Sequence, residues 1–236
     1  MKIALLLVGR LDTFEDMYPS LKENILDPLL PDVFFSGYPN NKGIEYCKEK
    51  IENFWKPKKY ILKEYNENVR KEIHSNDEIF NQNKRPEVTP KTWLSGIYNV
   101  KLCNQLKNKY QTENNFCYDV VIKSRTDLSW YGTISNEELQ LAKSGSILIP
   151  TAWDFKTVHP LGTSDVIAIS NSQGIDKYSS LIDNIDTYWN EGNIFHPESF
   201  VGIHIERMGL NRIEISSGID RTGWCVIDPN PNRKSF

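Results

Sequence analysis

Three charged side chains, Lys123, Arg125 and Asp127, close the segment YDVVIKSRTDLSW at residues 118–130, directly after the apolar run Val120, Val121 and Ile122. Such a run suits a strand buried on both faces, so the charges are expected to emerge at its C-terminal edge. Open α/β sheets bind their ligands at that edge. Alternation along an extended chain sends positions 123, 125 and 127 to one side, gathering two cations and a carboxylate in one crevice. A phosphorylated ligand fits that mixture. The purely structural alternative for Arg125 and Asp127 is an ion pair closing the strand end.

Other residues suited to chemistry stand at the ends of elements. The apolar stretch KIALLLV stops at Gly9-Arg10-Leu11-Asp12, where glycine permits a tight turn and Arg10 adds a positive charge. This turn can contact a nucleotide, or Arg10 can simply be solvated or ion-paired. Asp165 introduces the strand VIAIS, either as a site carboxylate or as a strand-entry cap. In Phe195-His196-Pro197-Glu198 the proline fits a first helical position, with His196 at the entrance and Glu198 in the first turn. The helix dipole favours a carboxylate there, which suits it to ligand or catalytic work or only to stabilising its own helix. His204 falls on the apolar face of that helix, between Phe200 and Met208, and reads as a core histidine. Trp153, Asp154 and His159 lie in an aperiodic stretch suited to a substrate-shaping loop, although an isolated aromatic more often packs.

The elements needed to hold these residues alternate in type. After the first strand, Pro19 opens a helix carrying Leu21, Ile25 and Leu29, followed by strands at 32–36 and 60–62 with a helical stretch between them. A βαβαβ order implies parallel strands with right-handed crossovers and helices on both faces. Residues from about 64 to 91 are polar and aperiodic, the mark of an excursion or lid in which His74 and Arg85 can touch ligand. Pro90 then opens a helix with Trp93, Leu94, Ile97, Tyr98, Leu102 and Leu106 at helical spacing; Trp93, Tyr98 or Lys101 can line a base pocket. Ser135 and Glu138 have the spacing of a capping box. A strand at 146–149, a helix over 172–189, two short strands and a polar tail complete the chain. The expectation is one α/β, Rossmann-like domain over residues 1–236, with a mostly parallel central sheet flanked by helices.

Composition narrows the classes. The 236 residues carry 28 Lys and Arg against 31 Asp and Glu, a formal charge of −3, so no global basic field argues for nucleic acid. No apolar run approaches membrane-spanning length, and the N-terminus lacks signal-peptide regions, which points to a soluble cytoplasmic protein. Cys47, Cys103, Cys117 and Cys225 form no CxxC pair, so free thiols are expected.

Taken in order, the first strand and its loop, YDVVIKSRTDLSW, SDVIAIS and the HPES helix entrance resemble small GT-A-type glycosyltransferases of the polysaccharide- and lipopolysaccharide-synthesis kind found in bacteria and large DNA viruses. The resemblance runs from Lys2 to about Ile215. It implies a nucleotide-sugar donor, a glycan acceptor, and a donor diphosphate beside the acidic end of the middle strand; Gly9, Arg10, Lys123, Arg125 and Asp127 are then the candidates to engage the donor, with Tyr98 and Lys101 at its base. In that group a DxD motif commonly holds Mn²⁺ or Mg²⁺. Here the place reads Arg125-Thr126-Asp127, with one acid only. Asp127 can still ligate a divalent metal, with His196 as a further ligand, or Arg125 and Lys123 can stabilise the diphosphate themselves. Inverting transfer needs a base for the acceptor hydroxyl, and Glu198, then Asp165, are the candidates. Two alternatives are a non-catalytic sugar- or partner-binding module that keeps the fold, and a sugar nucleotidyltransferase. The latter would normally show a Gly-rich basic phosphate loop, of which Gly9-Arg10-Leu11-Asp12 is a poor version.

Overall fold

The computed structural model describes residues 1–64, 90–151, 156–157, 159–193, 195–215 and 225–227, and structural statements below concern these. The central sheet has seven strands: β1 (Ile3–Arg10), β2 (Asp32–Tyr38), β3 (Lys59–Leu62), β4 (Val120–Arg125), β6 (Ile147–Pro150), β7 (Ile167–Ser170) and β8 (Arg212–Ile215). Their order across the sheet is β3-β2-β1-β4-β7-β6-β8. All neighbours are parallel except the two pairings of β7, which runs antiparallel to both β4 and β6. One strand in seven therefore points backwards, and the expected mostly parallel α/β sheet is present. A separate two-stranded ribbon pairs β5 (Leu128–Trp130) with β9 (Cys225–Ile227).

Strand β1 shows why the sheet is buried on both sides. Ile3, Leu5 and Leu7 enter one core, while Ala4, Leu6 and Val8 enter the other. The first core is closed by helices α1 (Phe14–Leu21), α2 (Ile44–Phe54) and α4 (Asn136–Lys143). On the second face lie α3 (Pro90–Glu113), α5 (Ser172–Ser179), α6 (Ile185–Asn190) and α7 (Pro197–Arg207). The capping box of α4 forms as expected: the Glu138 amide donates to Ser135 Oγ at 3.2 Å, and the Ser135 amide donates to Glu138 Oε2 at 2.8 Å.

Several boundaries differ from expectation. Pro19 lies inside α1, which begins at Phe14, and the next turn, Lys22–Leu26, has π-helical bonding. Proline removes one intrahelical donor, and the widened turn follows directly behind it. The expected helix over 172–189 divides into α5, a 3-10 turn at Leu181–Asn184, and α6. On α3, Lys107 is fully buried, donating to Ser172 Oγ at 2.8 Å and to Asp176 Oδ1 at 3.1 Å on α5. Its burial pulls the ammonium pKa below the ordinary lysine value.

The polar excursion lies outside the described residues except at its ends, and His74, Arg85, Trp153, Asp154 and the C-terminal tail lie outside them altogether. Among the described residues no helix is long and apolar enough to cross a membrane. Cys47 and Cys103 are buried free thiols, and Cys117 is an exposed one.

Candidate functional site

From β1 the chain winds outward to β2 and β3, then returns along α3 to β4 on the other side of β1. The carboxyl ends of β1 and β4 therefore flank a topological switch point, the usual ligand crevice of open α/β sheets. Thr126 ties the two ends together. Its amide donates to Val8 O at 3.1 Å, and its Oγ1 donates to Arg10 O at 2.6 Å. Gly9 faces it with φ 130°, and a Cβ there would stand 3.1 Å from Thr126 Oγ1. Glycine serves this close, left-handed approach.

Both strand ends carry arginine. On β1, Arg10 Nε lies 3.1 Å from Asp12 Oδ2. On β4, Arg125 clasps Asp127 in a fork, with Nε 2.8 Å from Oδ1 and Nη2 2.6 Å from Oδ2. Two parallel charge-assisted bonds fix both groups. The cation is the accessible member: the Arg125 side chain is 36% exposed and that of Asp127 only 9%.

Lys123 departs from expectation. It shares a strand face with Arg125, but β4 continues past it and β7 covers it, so the ammonium is buried inside the sheet. Its Nζ donates to the backbone carbonyls of Asp165 and Val166, at the entrance to β7. Burial pulls its pKa down to about 8; Asp165 and Asp127 pull upward against this, and Arg125 adds to the depression. Lys123 therefore holds the Asp165 turn against β4 instead of reaching into the crevice.

This burial carries a pH signature. The folded pKa lies below the unfolded value of about 10.4, so below pH 8 the folded state bears the cost of a buried charge. That cost is relieved as pH rises from about 8 towards about 10.4. Between these limits, the stability of the native chain relative to Lys123→Met is expected to improve by about 3 kcal/mol. Chemical denaturation of both proteins across the range measures it; a flat difference would show that Lys123 carries no buried charge.

Beyond the Lys123 contact, the 161–165 loop joins the sheet edge to α7. Trp93 Nε1 on α3 donates to Asp165 Oδ2 at 3.2 Å, and the Trp93 ring meets Phe195 and Phe200 at centroid distances of 5.5 and 6.0 Å. The Thr163 amide donates to Glu198 O at 3.0 Å, and Thr163 Oγ1 donates to Leu161 O at 2.7 Å. The polypeptide passes so close to α7 that a Cβ on Gly202 would lie 1.7 Å from Leu161 O. At the helix entrance His196 is extended, with φ −152° and ψ 125°, and Pro197 takes the first turn. Both place the buried His196 Nδ1 3.0 Å from Glu198 Oε2, on a carboxylate that is 13% exposed.

Of the expected site residues, Gly9, Arg10, Arg125 and Asp127 share the switch point, Lys123 and Asp165 adjoin it, and His196 and Glu198 meet at α7. Lys101 goes elsewhere: its Nζ lies 2.5 Å from Asp183 on the 3-10 turn. Tyr98 packs half-buried against the second core. Beside the end of β2, α3 instead presents Asn99, which accepts from Ser36 Oγ at 2.7 Å, and Ser95, 3.4 Å from the donating Tyr38 hydroxyl. His159 accepts from the Leu161 amide at 3.2 Å, a turn contact. His204 is the expected core histidine, with Nδ1 2.8 Å from Tyr188 OH and Nε2 2.8 Å from Lys177 O. Burial lowers its pKa. Sequence reasoning missed Thr126 and the bond from Trp93 to Asp165; the only signal for either was a polar or aromatic residue at an element's end.

A hard divalent cation takes about six oxygen donors, of which protein carboxylates commonly supply one or two. Both oxygens of Asp127 are engaged by Arg125. Among the described residues, no group of three or more His, Cys, Asp or Glu side chains is placed to hold a metal. His196, the other expected ligand, lies at the α7 entrance with Nδ1 3.0 Å from Glu198 Oε2. Among the described residues the arrangement offers no ready ligand set for a resident metal, and the mechanism is routed through none.

No protein-family model matches this sequence, and no curated protein matches it. Among solved structures, the chain is similar to the crystal structure of mouse xyloside xylosyltransferase 1 in its apo form. The TM-score is 0.50 at 12% identity, over 91% of this chain and 85% of that one. The likeness is one of fold.

Proposed function

We propose that this chain is a glycosyltransferase that moves a sugar from a nucleotide-diphosphate donor to a glycan hydroxyl with inversion. The observation that carries the reading is the β1–β4 switch point, where Arg10 and Arg125 stand at neighbouring strand ends and the 161–165 loop that carries Asp165 is hydrogen-bonded to the Glu198 backbone. A fold shared with a xylosyltransferase agrees with it. The arginines hold the diphosphate by charge-assisted hydrogen bonds, and Asp165, oriented by Trp93, binds sugar hydroxyls.

Transfer forms one bond and breaks one. The acceptor oxygen attacks the anomeric carbon as the bond from that carbon to the phosphate oxygen breaks, and the electron pair leaves with the nucleoside diphosphate. Glu198 takes the acceptor proton, and His196 orients its carboxylate. Developing charge on the leaving phosphate meets fixed cations, the arrangement by which preorganised sites lower barriers. One domain, a cytoplasmic setting and a polysaccharide acceptor belong to the same reading.

A panel of UDP-, GDP-, CMP- and dTDP-sugars, assayed for nucleotide release and thermal shift, tests it, because a ligand specific to the folded state raises apparent stability. At least one donor is expected both to shift the melting point and to be turned over. Binding without turnover would favour a non-catalytic sugar-binding module. Silence from every donor would remove the reading.

A further inference from the structure

We infer that Arg125 fills the place of a resident metal at the donor diphosphate, with Asp127 as the carboxylate that aims it. The inference rests on the glycosyltransferase reading and concerns how its donor site is charged. Three observations converge on it. The fork from Arg125 engages both Asp127 oxygens, at 2.8 and 2.6 Å, so one lone pair on each oxygen already faces a guanidinium. Exposure is divided in the same sense, at 36% for the arginine and 9% for the aspartate, which leaves the cation as the partner a ligand can reach. Finally, the turn that holds the pair is fixed, since Thr126 between them is bonded to β1 through Val8 O and Arg10 O.

The chemistry suits a phosphate. A guanidinium presents N–H donors in a rigid plane, and its fork matches two phosphate oxygens. Its charge does not titrate in the physiological range. Asp127 is thus a positioning residue. Arg10, on the neighbouring strand end, adds a second positive charge to the same edge of the sheet.

The test is calorimetric binding of UDP and of GDP in EDTA and in Mn²⁺, with no sugar and no turnover required. The native chain is expected to bind one of them with the same affinity, within about twofold, in both media. Arg125→Ala should weaken that binding about 10- to 100-fold, the loss appropriate to a charge-assisted fork. Arg125→Lys, which keeps the charge and loses the fork, should fall between. Binding by the native chain only in Mn²⁺ overturns the inference and leaves the glycosyltransferase reading standing, as does native-like affinity in Arg125→Ala. Failure of both nucleotides in both media overturns the donor site itself. Should Arg125→Ala not fold, the native comparison and Arg125→Lys decide.

Discussion

Glu198→Gln is expected to lower sugar-transfer turnover by about 10²- to 10⁴-fold, the usual contribution of a general base, while nucleotide affinity stays unchanged. Glutamine keeps the size and one carbonyl oxygen of glutamate but has no lone pair basic enough to accept the acceptor proton. The substitution preserves the helix entrance, where His196 and Pro197 set the backbone, so a loss of rate cannot be assigned to a collapsed α7. Single-turnover kinetics beside nucleotide calorimetry separate the two effects. The donor site proposed at Arg125 lies on a different element, so binding should survive. Asp165→Asn is the companion variant: its side chain is held by Trp93, and it should raise donor KM more than it lowers kcat. Turnover by Glu198→Gln within a few-fold of the native rate would move the base elsewhere, with Asp165 next in line.

Gly202→Ala should cost about 3 kcal/mol of stability and lower the melting point by roughly 10 °C. An added methyl would stand 1.7 Å from Leu161 O, 2.6 Å from Leu161 C and 3.0 Å from Thr163 Oγ1. The first two are backbone atoms, so no rotamer change relieves the overlap, and either α7 or the 161–165 loop must move. Alanine's better helix propensity, worth about 1 kcal/mol, offsets only part of this. Gly96→Ala is the control: it lies within α3 and its Cβ would meet nothing within 4 Å, so that change should be neutral or stabilising. The displaced loop carries Asp165 and contacts Glu198, so whatever folded Gly202→Ala remains should also lose turnover. A melting point within about 2 °C of the native value would show that the loop yields at little cost.

What could be read from sequence followed from local physics. Two-sided burial of β1 and β4, the Ser135 capping box, and His204 as a core residue all depend on neighbours a few positions away. So does the meeting of Arg125 with Asp127, two residues apart. Lys123 shows where such reasoning stops. Its side of the strand was correct, but its depth in the sheet depends on β7, a strand more than forty residues later. Lys107 is similar: a lysine on a helix reads as solvated until Ser172 and Asp176 are known to face it. Lys101 was drawn toward a base pocket by its place on α3, yet the deciding partner, Asp183, is 82 residues away. Strand direction was equally hidden, because the apolar run that marks VIAIS as a strand is the same whichever way it runs.

The backward course of β7 also bears on how the chain is made. During synthesis β1 to β4 emerge first and can assemble as a parallel set, but the outer edge of β4 is completed only by β7. Strand β6, which precedes β7 in sequence, sits beyond it in the sheet and does not cover that edge. A nascent chain paused before residue 167 would thus present an open strand edge at residues 121–124, with the apolar Val121 and Ile122 among them. For that interval the half-made protein is a template for pairing with other chains, and the rate at which the ribosome delivers Ile167–Ser170 limits its exposure.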